Sequence, residues 1–268
     1  MIRFNNQFRK IISVPLYISH STPGESINNY ATDMLIHNKK VFSSSIKQIF
    51  CTESYYDNLY KLYFQNKKNL SDGSLINIGG DHHISIATIA ASLNHNRNTK
   101  LLWISPSNSL NKTPLSYLSA IDQVPSNSVD YIKNSLSFSN IFYVGLNDSN
   151  KPLQDTLEQN SISYLFNTQI NHHIYDSISD ISSFIGDDSV HISIDLNIID
   201  QHYQPSDKII DKIHIDSLII LLNNLLSRHH ILNMDITEFH VCRSYGAENH
   251  VPYSNFINLF EEYLRRVS

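Results

Sequence analysis

Three short segments carry the side chains best suited to chemistry. Gly79-Gly80-Asp81-His82-His83 closes an apolar run and leads into a helical stretch that begins near Ile84. Paired glycines permit a tight turn at a strand end. Such a turn would project His82 into a cleft beyond the strand, with Asp81 as a helix cap or as a partner of the site residues. In His191-Ile192-Ser193-Ile194-Asp195-Leu196-Asn197 polar and apolar residues alternate. Side chains along a strand alternate faces, so Asp195 and Asn197 are expected to point the same way at its end, where two oxygen groups can share a metal ion or bind a polar substrate. Asp235-Ile236-Thr237-Glu238 sets a further acid, Glu238, just past another apolar run. Each segment alone also has a plain structural reading, as a strand end with polar turn residues.

The elements that must position these groups are legible as alternating short and long apolar patterns. Strands are expected at Ile11–Ile18, Ile46–Cys51, Ser74–Ile78, Lys100–Ile104, Ile141–Leu146, Ser163–Phe166, Val190–Leu196 and Ile231–Ile236. Helical periodicity is expected at Ser26–His37, Ser54–Gln65, Ile84–Asn94, Leu153–Gln159, His173–Phe184, Ile215–Ser227 and Tyr253–Arg266. Strands alternating with helices imply βαβ units, a parallel sheet buried on both faces and right-handed crossovers. The expected fold is therefore a three-layer α/β/α sandwich around a parallel sheet of about eight strands. No linker or repeat divides the chain, so residues 1–268 read as a single domain. Ligands in such sheets bind beyond the carboxyl ends of the strands, where all three chemical segments fall.

Composition removes other classes. The 268 residues are 41% hydrophobic and 17% charged with a formal net charge of −5, a balance that excludes disorder. Basic residues occur as scattered pairs, so no nucleic-acid surface is expected. No apolar run is long enough to span a membrane, and the first twenty residues lack a secretory pattern. With only Cys51 and Cys242 there is no disulfide framework. A cytoplasmic or other reducing soluble compartment is expected.

In their order and spacing these segments resemble the ureohydrolase family of arginase, agmatinase and formiminoglutamase. The family shows GGDH, a strand ending in W-x-D-A-H-x-D, then S-x-D-x-D-x-x-D-P, and a late D-x-x-E. The present chain has Gly79-Gly80-Asp81-His82, Trp103, Ser193 through Asp200 with Asp195 and Asn197, and Asp235-Ile236-Thr237-Glu238. Tyr143-Val144-Gly145-Leu146-Asn147-Asp148 is similar to the family's Y-I-G-L-R-D, and Thr113-Pro114-Leu115-Ser116-Tyr117-Leu118 to a helix start in the family. The resemblance implies an arginase-like fold, trimeric or hexameric assembly, and two Mn²⁺ ions held by two His and four Asp.

The departures concern that metal pair. The family's six ligand positions fall here on His82, Ser105, Ser107, Ser109, Asp195 and Asn197. Only His82 and Asp195 keep the family's residue types. Asp195 supplies one negative charge where the family sets four against the two divalent ions. Hard cations favour charged oxygen ligands, Mn²⁺ is the weakest binder among the first-row divalent metals, and neutral hydroxyls leave its charge uncompensated. Without the pair no hydroxide is generated from bound water. The expectation is a catalytically inactive ureohydrolase-like protein with no cofactor, kept as a structural or regulatory subunit. Its partners would be further copies, an active paralogue or a larger assembly. Two alternatives stay open. One is a hydrolase of a guanidino or amide substrate with an altered metal site. The other is a binding module for a small cation, because Glu238, Asp148 and Asn150 fall at the family's substrate-contacting positions.

Overall fold

The computed structural model describes residues 8–14, 46–48, 55–79, 81–107, 109–122, 131–132, 136–199 and 212–238. The expected helices at Ser26–His37 and Tyr253–Arg266, both cysteines and Asp200 lie outside these residues.

The described chain runs β1 (Phe8–Ser13), β2 (Ile46–Gln48), α1 (Tyr55–Leu70), β3 (Ser74–Ile78), α2 (Ser85–His95), β4 (Lys100–Ile104), α3 (Pro114–Leu118) and β5 (Ile141–Leu146). It continues with α4 (Lys151–Gln159), β6 (Ser163–Phe166), α5 (Asn167–His172), α6 (Ile174–Ile185), β7 (Val190–Asp195), α7 (Ile215–Arg228) and β8 (Ile231–Thr237). The eight strands form one sheet in the order β2-β1-β3-β8-β7-β4-β5-β6, and every pairing is parallel.

Period two along the strands divides the core into two layers. Leu102, Ile104, Phe142, Val144, Ile192 and Ile194 face Ile178 and Ile181 of α6 and Leu221 and Leu225 of α7. Their neighbours Leu101, Trp103, Ile141 and Tyr143 face Leu59 and Leu62 of α1 and Ala87 and Ala91 of α2. Helices thus cover both faces, which is what a parallel sheet of apolar strands requires.

Several expected boundaries move for local reasons. β1 spans Phe8–Ser13 rather than beginning at Ile11, and α1 continues to Leu70. The window His173–Phe184 is the helix α6, and the short helix α5 before it, which was not expected, ends where His173 leaves helical geometry with φ −130°. β7 stops at Asp195 and the chain turns at once into a 3₁₀ helix, Leu196–Ile198. The period-two argument therefore does not extend to Asn197, and the expected shared face with Asp195 is corrected.

Candidate functional site

β3, β8, β7 and β4 are adjacent in the sheet, so the loops leaving their carboxyl ends meet in one place. The register aligns Asn77 with Asp235, Asp235 with Ser193, and Ser193 with Trp103. At the end of β3, Gly79 adopts φ +101°, and a Cβ there would come within 3.1 Å of the Val14 carbonyl oxygen. A side chain would be strained at that turn, which is the reason for glycine. The next residues enter a 3₁₀ turn, His82–Ile84, capped by Asp81, whose Oδ1 accepts from the His83 amide at 3.0 Å. The Tyr55 hydroxyl donates to the same oxygen at 2.9 Å. Burial and the Asp81 charge push the Tyr55 hydroxyl pKa up.

His82 does not project into open space. It is 8% exposed, and its ring stacks on Trp103 with centroids 3.9 Å apart and planes 6° from parallel. Nε2 lies 2.9 Å from Ser193 Oγ, and Nδ1 lies 3.7 Å from Asp195 Oδ2. Ser193, His82 and Asp195 are linked in the manner of a hydrolytic triad, yet Ser193 has no exposed surface. A nucleophile must reach its substrate, so this serine is a support for the imidazole. Asp195 Oδ1 accepts from the Asn197 amide at 2.8 Å, and the Ser105 hydroxyl is 3.5 Å from its Oδ2.

The serines after β4 are turned toward their own loop. Ser105 Oγ accepts from the Ser107 amide at 3.3 Å, Ser107 Oγ donates to the Ser109 carbonyl at 2.8 Å, and Ser109 Oγ accepts from the Asn111 amide at 3.0 Å. Local bonds of this kind let serine stabilise a turn by itself. Tyr143 fastens the loop to the sheet, its hydroxyl donating to the Ser105 and Ser107 carbonyls at 3.0 Å each. Burial, then the nearby Asp195 charge, drives that phenol's pKa far up, so it stays a donor.

The three positions singled out for substrate contact are also engaged. Glu238 has φ +57°, and its Oε1 accepts from the His82 amide at 2.9 Å, fastening the end of β8 to the loop after β3. Asp148 Oδ1 accepts from Thr168 Oγ1 at 2.6 Å. Asn150 is the N-cap of α4, its Oδ1 accepting from the Leu153 amide at 3.2 Å. Among the described residues no three His, Cys, Asp or Glu side chains converge on a point where one metal ion would sit.

Sequence reasoning missed a buried polar network directly beneath this site. Asp235, with no exposed surface, accepts from Asn77 Nδ2 at 2.9 Å, Ser85 Oγ at 2.8 Å and Thr88 Oγ1 at 2.6 Å, and faces His191 Nε2 at 3.0 Å. Ser85 Oγ lies 2.8 Å from Ser193 Oγ, which links the network to His82. Ser92 Oγ meets His191 Nδ1 at 2.9 Å, while Asn66, Asn77 and Asn233 bond to one another behind Asp235. Burial pushes the Asp235 carboxyl up, but the charge and hydrogen bond of His191 and the hydroxyls of Thr88 and Ser85 outweigh it and hold the pKa below the usual carboxylate value. The signal was present. His191, Ser193 and Asp195 alternate on β7, Asn233 and Asp235 on β8, and hydroxyls recur at 85, 88 and 92 on one face of α2.

This sheet order, with its acid- and imidazole-bearing loops gathered at the central carboxyl ends, defines an arginase-like α/β sandwich. The chain belongs to the arginase family, whose sequence model matches residues 25–241. It is 23% identical to an arginase of Plasmodium berghei over 77% of this chain and 63% of that protein. To an arginase of Plasmodium falciparum it is 24% identical, over 82% of this chain and 61% of that protein. The chain thus spans about three-fifths of the length of these relatives. The fold superposes on the crystal structure of Bacillus subtilis arginase with a TM-score of 0.75 at 16% identity, covering 96% of this chain and 98% of that one.

Proposed function

We propose that this chain is a catalytically inactive member of the arginase family, a ureohydrolase-like protein that serves as a structural or regulatory subunit. The observation that carries the reading is the engagement of the strand-end side chains. Ser107 and Ser109 bond within their own loop, Ser105 accepts from the Ser107 amide and turns its hydroxyl toward Asp195, and the Asn197 backbone amide donates to the same carboxylate. His82 Nδ1 and Asp195 Oδ2 face each other at 3.7 Å with one hydroxyl nearby. That donor set offers one carboxylate and one imidazole, which does not fit two divalent ions. Glu238, Asp148 and Asn150, each with a structural partner, support the same reading over that of a cation-binding module. Partners in this reading are further copies of the chain or an active paralogue. No helix among the described residues is long and apolar enough to cross a membrane.

The test is metal analysis of the purified protein after equilibration with excess Mn²⁺, together with hydrolysis assays on arginine and agmatine. The expected result is well under two manganese per chain and no urea. Two bound ions with urea release would contradict the reading. One observation favours a second reading, an altered enzyme with a single ion, namely the convergence of His82 Nδ1 and Asp195 Oδ2. It predicts one manganese per chain, lost on Asp195→Ala.

A further inference from the structure

The hydrogen bonds beneath the cleft run in one direction. Ser85 Oγ donates to Asp235 Oδ2 at 2.8 Å. Ser85 Oγ and Ser193 Oγ lie 2.8 Å apart, and Ser193 Oγ lies 2.9 Å from His82 Nε2. Ser85, Ser193 and Asp235 have no exposed surface and His82 is buried, so these groups settle their protons among themselves. Three contacts need three protons. A hydroxyl brings one proton and accepts on its lone pairs, whereas an ionised carboxylate only accepts. Asp235 is ionised at neutral pH, because its partners hold its pKa below the usual carboxylate value. A charged oxygen is the strongest acceptor within reach of Ser85 and takes its proton. Ser193 must then fill the contact between the two serines, and the third proton can come only from His82 Nε2. The opposite order would leave two oxygens 2.8 Å apart with no hydrogen between them. Nδ1 is not tied in this way, since its 3.7 Å to Asp195 Oδ2 exceeds hydrogen-bond range.

We infer that Asp235 is a positioning residue for His82: through Ser85 and Ser193 it fixes the imidazole proton on Nε2 and leaves Nδ1 as a bare acceptor turned toward Asp195. Which imidazole nitrogen carries the proton is set by the bond that the other groups impose on the ring. Here the group that imposes it sits three hydrogen bonds away, inside the sheet. Stacking on Trp103 holds the plane of the ring while the relay holds its proton. The strand end therefore presents two acceptors side by side, Nδ1 of His82 and Oδ2 of Asp195. A ligand group placed between them has to bring the proton or the positive charge itself. This inference goes beyond the proposed role as an inactive subunit and stands apart from it, since it concerns only where the chain keeps its own protons.

Long-range nitrogen–proton NMR on protein carrying isotope-labelled histidine reads the two ring nitrogens separately. The measurement is made at about pH 8, where an ordinary imidazole is neutral, and His82 is assigned by the signal lost in His82→Gln. In the wild type Nε2 is expected to show the protonated signature and Nδ1 the bare one. Ser85→Ala breaks the relay and frees the Ser193 hydroxyl to donate to Nε2. The ratio of rings protonated on Nδ1 to those protonated on Nε2 then rises about fivefold, the worth of one hydrogen bond of ordinary strength. Asp235→Asn lets a side-chain amide donate to Ser85, which reverses the relay and moves the proton in the same direction. Circular dichroism and the remaining histidine signals report that each variant is folded. A residue that served stability alone would leave the ratio at His82 where it was. A wild-type proton on Nδ1, or a folded Ser85→Ala protein with an unchanged ratio, would overturn the inference.

Discussion

Asp235 shows how a charge is kept inside a sheet. Three side-chain donors and His191 surround its two oxygens, so the carboxylate is satisfied without water. Asp235→Ala strips those donors of their acceptor, and removing one partner of a buried pair costs about 3–5 kcal/mol, read as a lower urea midpoint. The lowered pKa has a sign. A carboxyl depressed in the folded state stabilises the protein above its unfolded value of about 3.9 and loses that contribution as pH falls through the folded value. Asp235→Asn should therefore lower stability at neutral pH and flatten the acid limb of the stability curve below about pH 4. An unchanged acid limb would show that other carboxylates set it. At the same scale, Ser105→Asp/Ser107→His/Ser109→Asp/Asn197→Asp returns the family's donors to the cleft. Manganese affinity measured by calorimetry should rise at least tenfold over wild type, a difference of about 1.4 kcal/mol. No gain would mean that these positions do not converge.

Elements carry the next level of control. Gly145 in β5 has φ +105°, and a Cβ there would lie 2.7 Å from Ile198 Cδ1 and 3.1 Å from the Ser105 carbonyl oxygen. Gly145→Ala combines backbone strain with a clash between β5 and the loops after β4 and β7. It should lower thermal stability by about 1–3 kcal/mol. Asn150→Ala removes the cap of α4 and should cost about 1 kcal/mol, whereas Asn150→Asp keeps the acceptor and most of the stability. Ser74–Ile78, Lys100–Ile104, Ile141–Leu146 and Ser163–Phe166 were readable to the residue, because apolar runs bounded by polar residues leave one choice of strand. The short helix α5 was not, since its six residues are too few to show a helical period. Nor was the end of β7, which is set by the Asp195 carboxylate capping its own turn. The motifs that form the cleft were readable from order and spacing. What their side chains hold, such as Glu238 on the His82 amide, depends on partners up to 156 positions away and is invisible to local pattern.

Among the described residues the chain keeps an arginase-like sheet and supports it with a buried polar network beneath the strand ends. His82 is oriented by Trp103 and Ser193 at the floor of the cleft. Ser193 and Ser85 join His82 at the cleft to Asp235 beneath it. The most direct measurement is anomalous diffraction at the manganese edge from crystals soaked in excess Mn²⁺. The account predicts no pair of peaks between His82 and Asp195. Two peaks about 3.5–4 Å apart, the separation of a working binuclear centre, would contradict it.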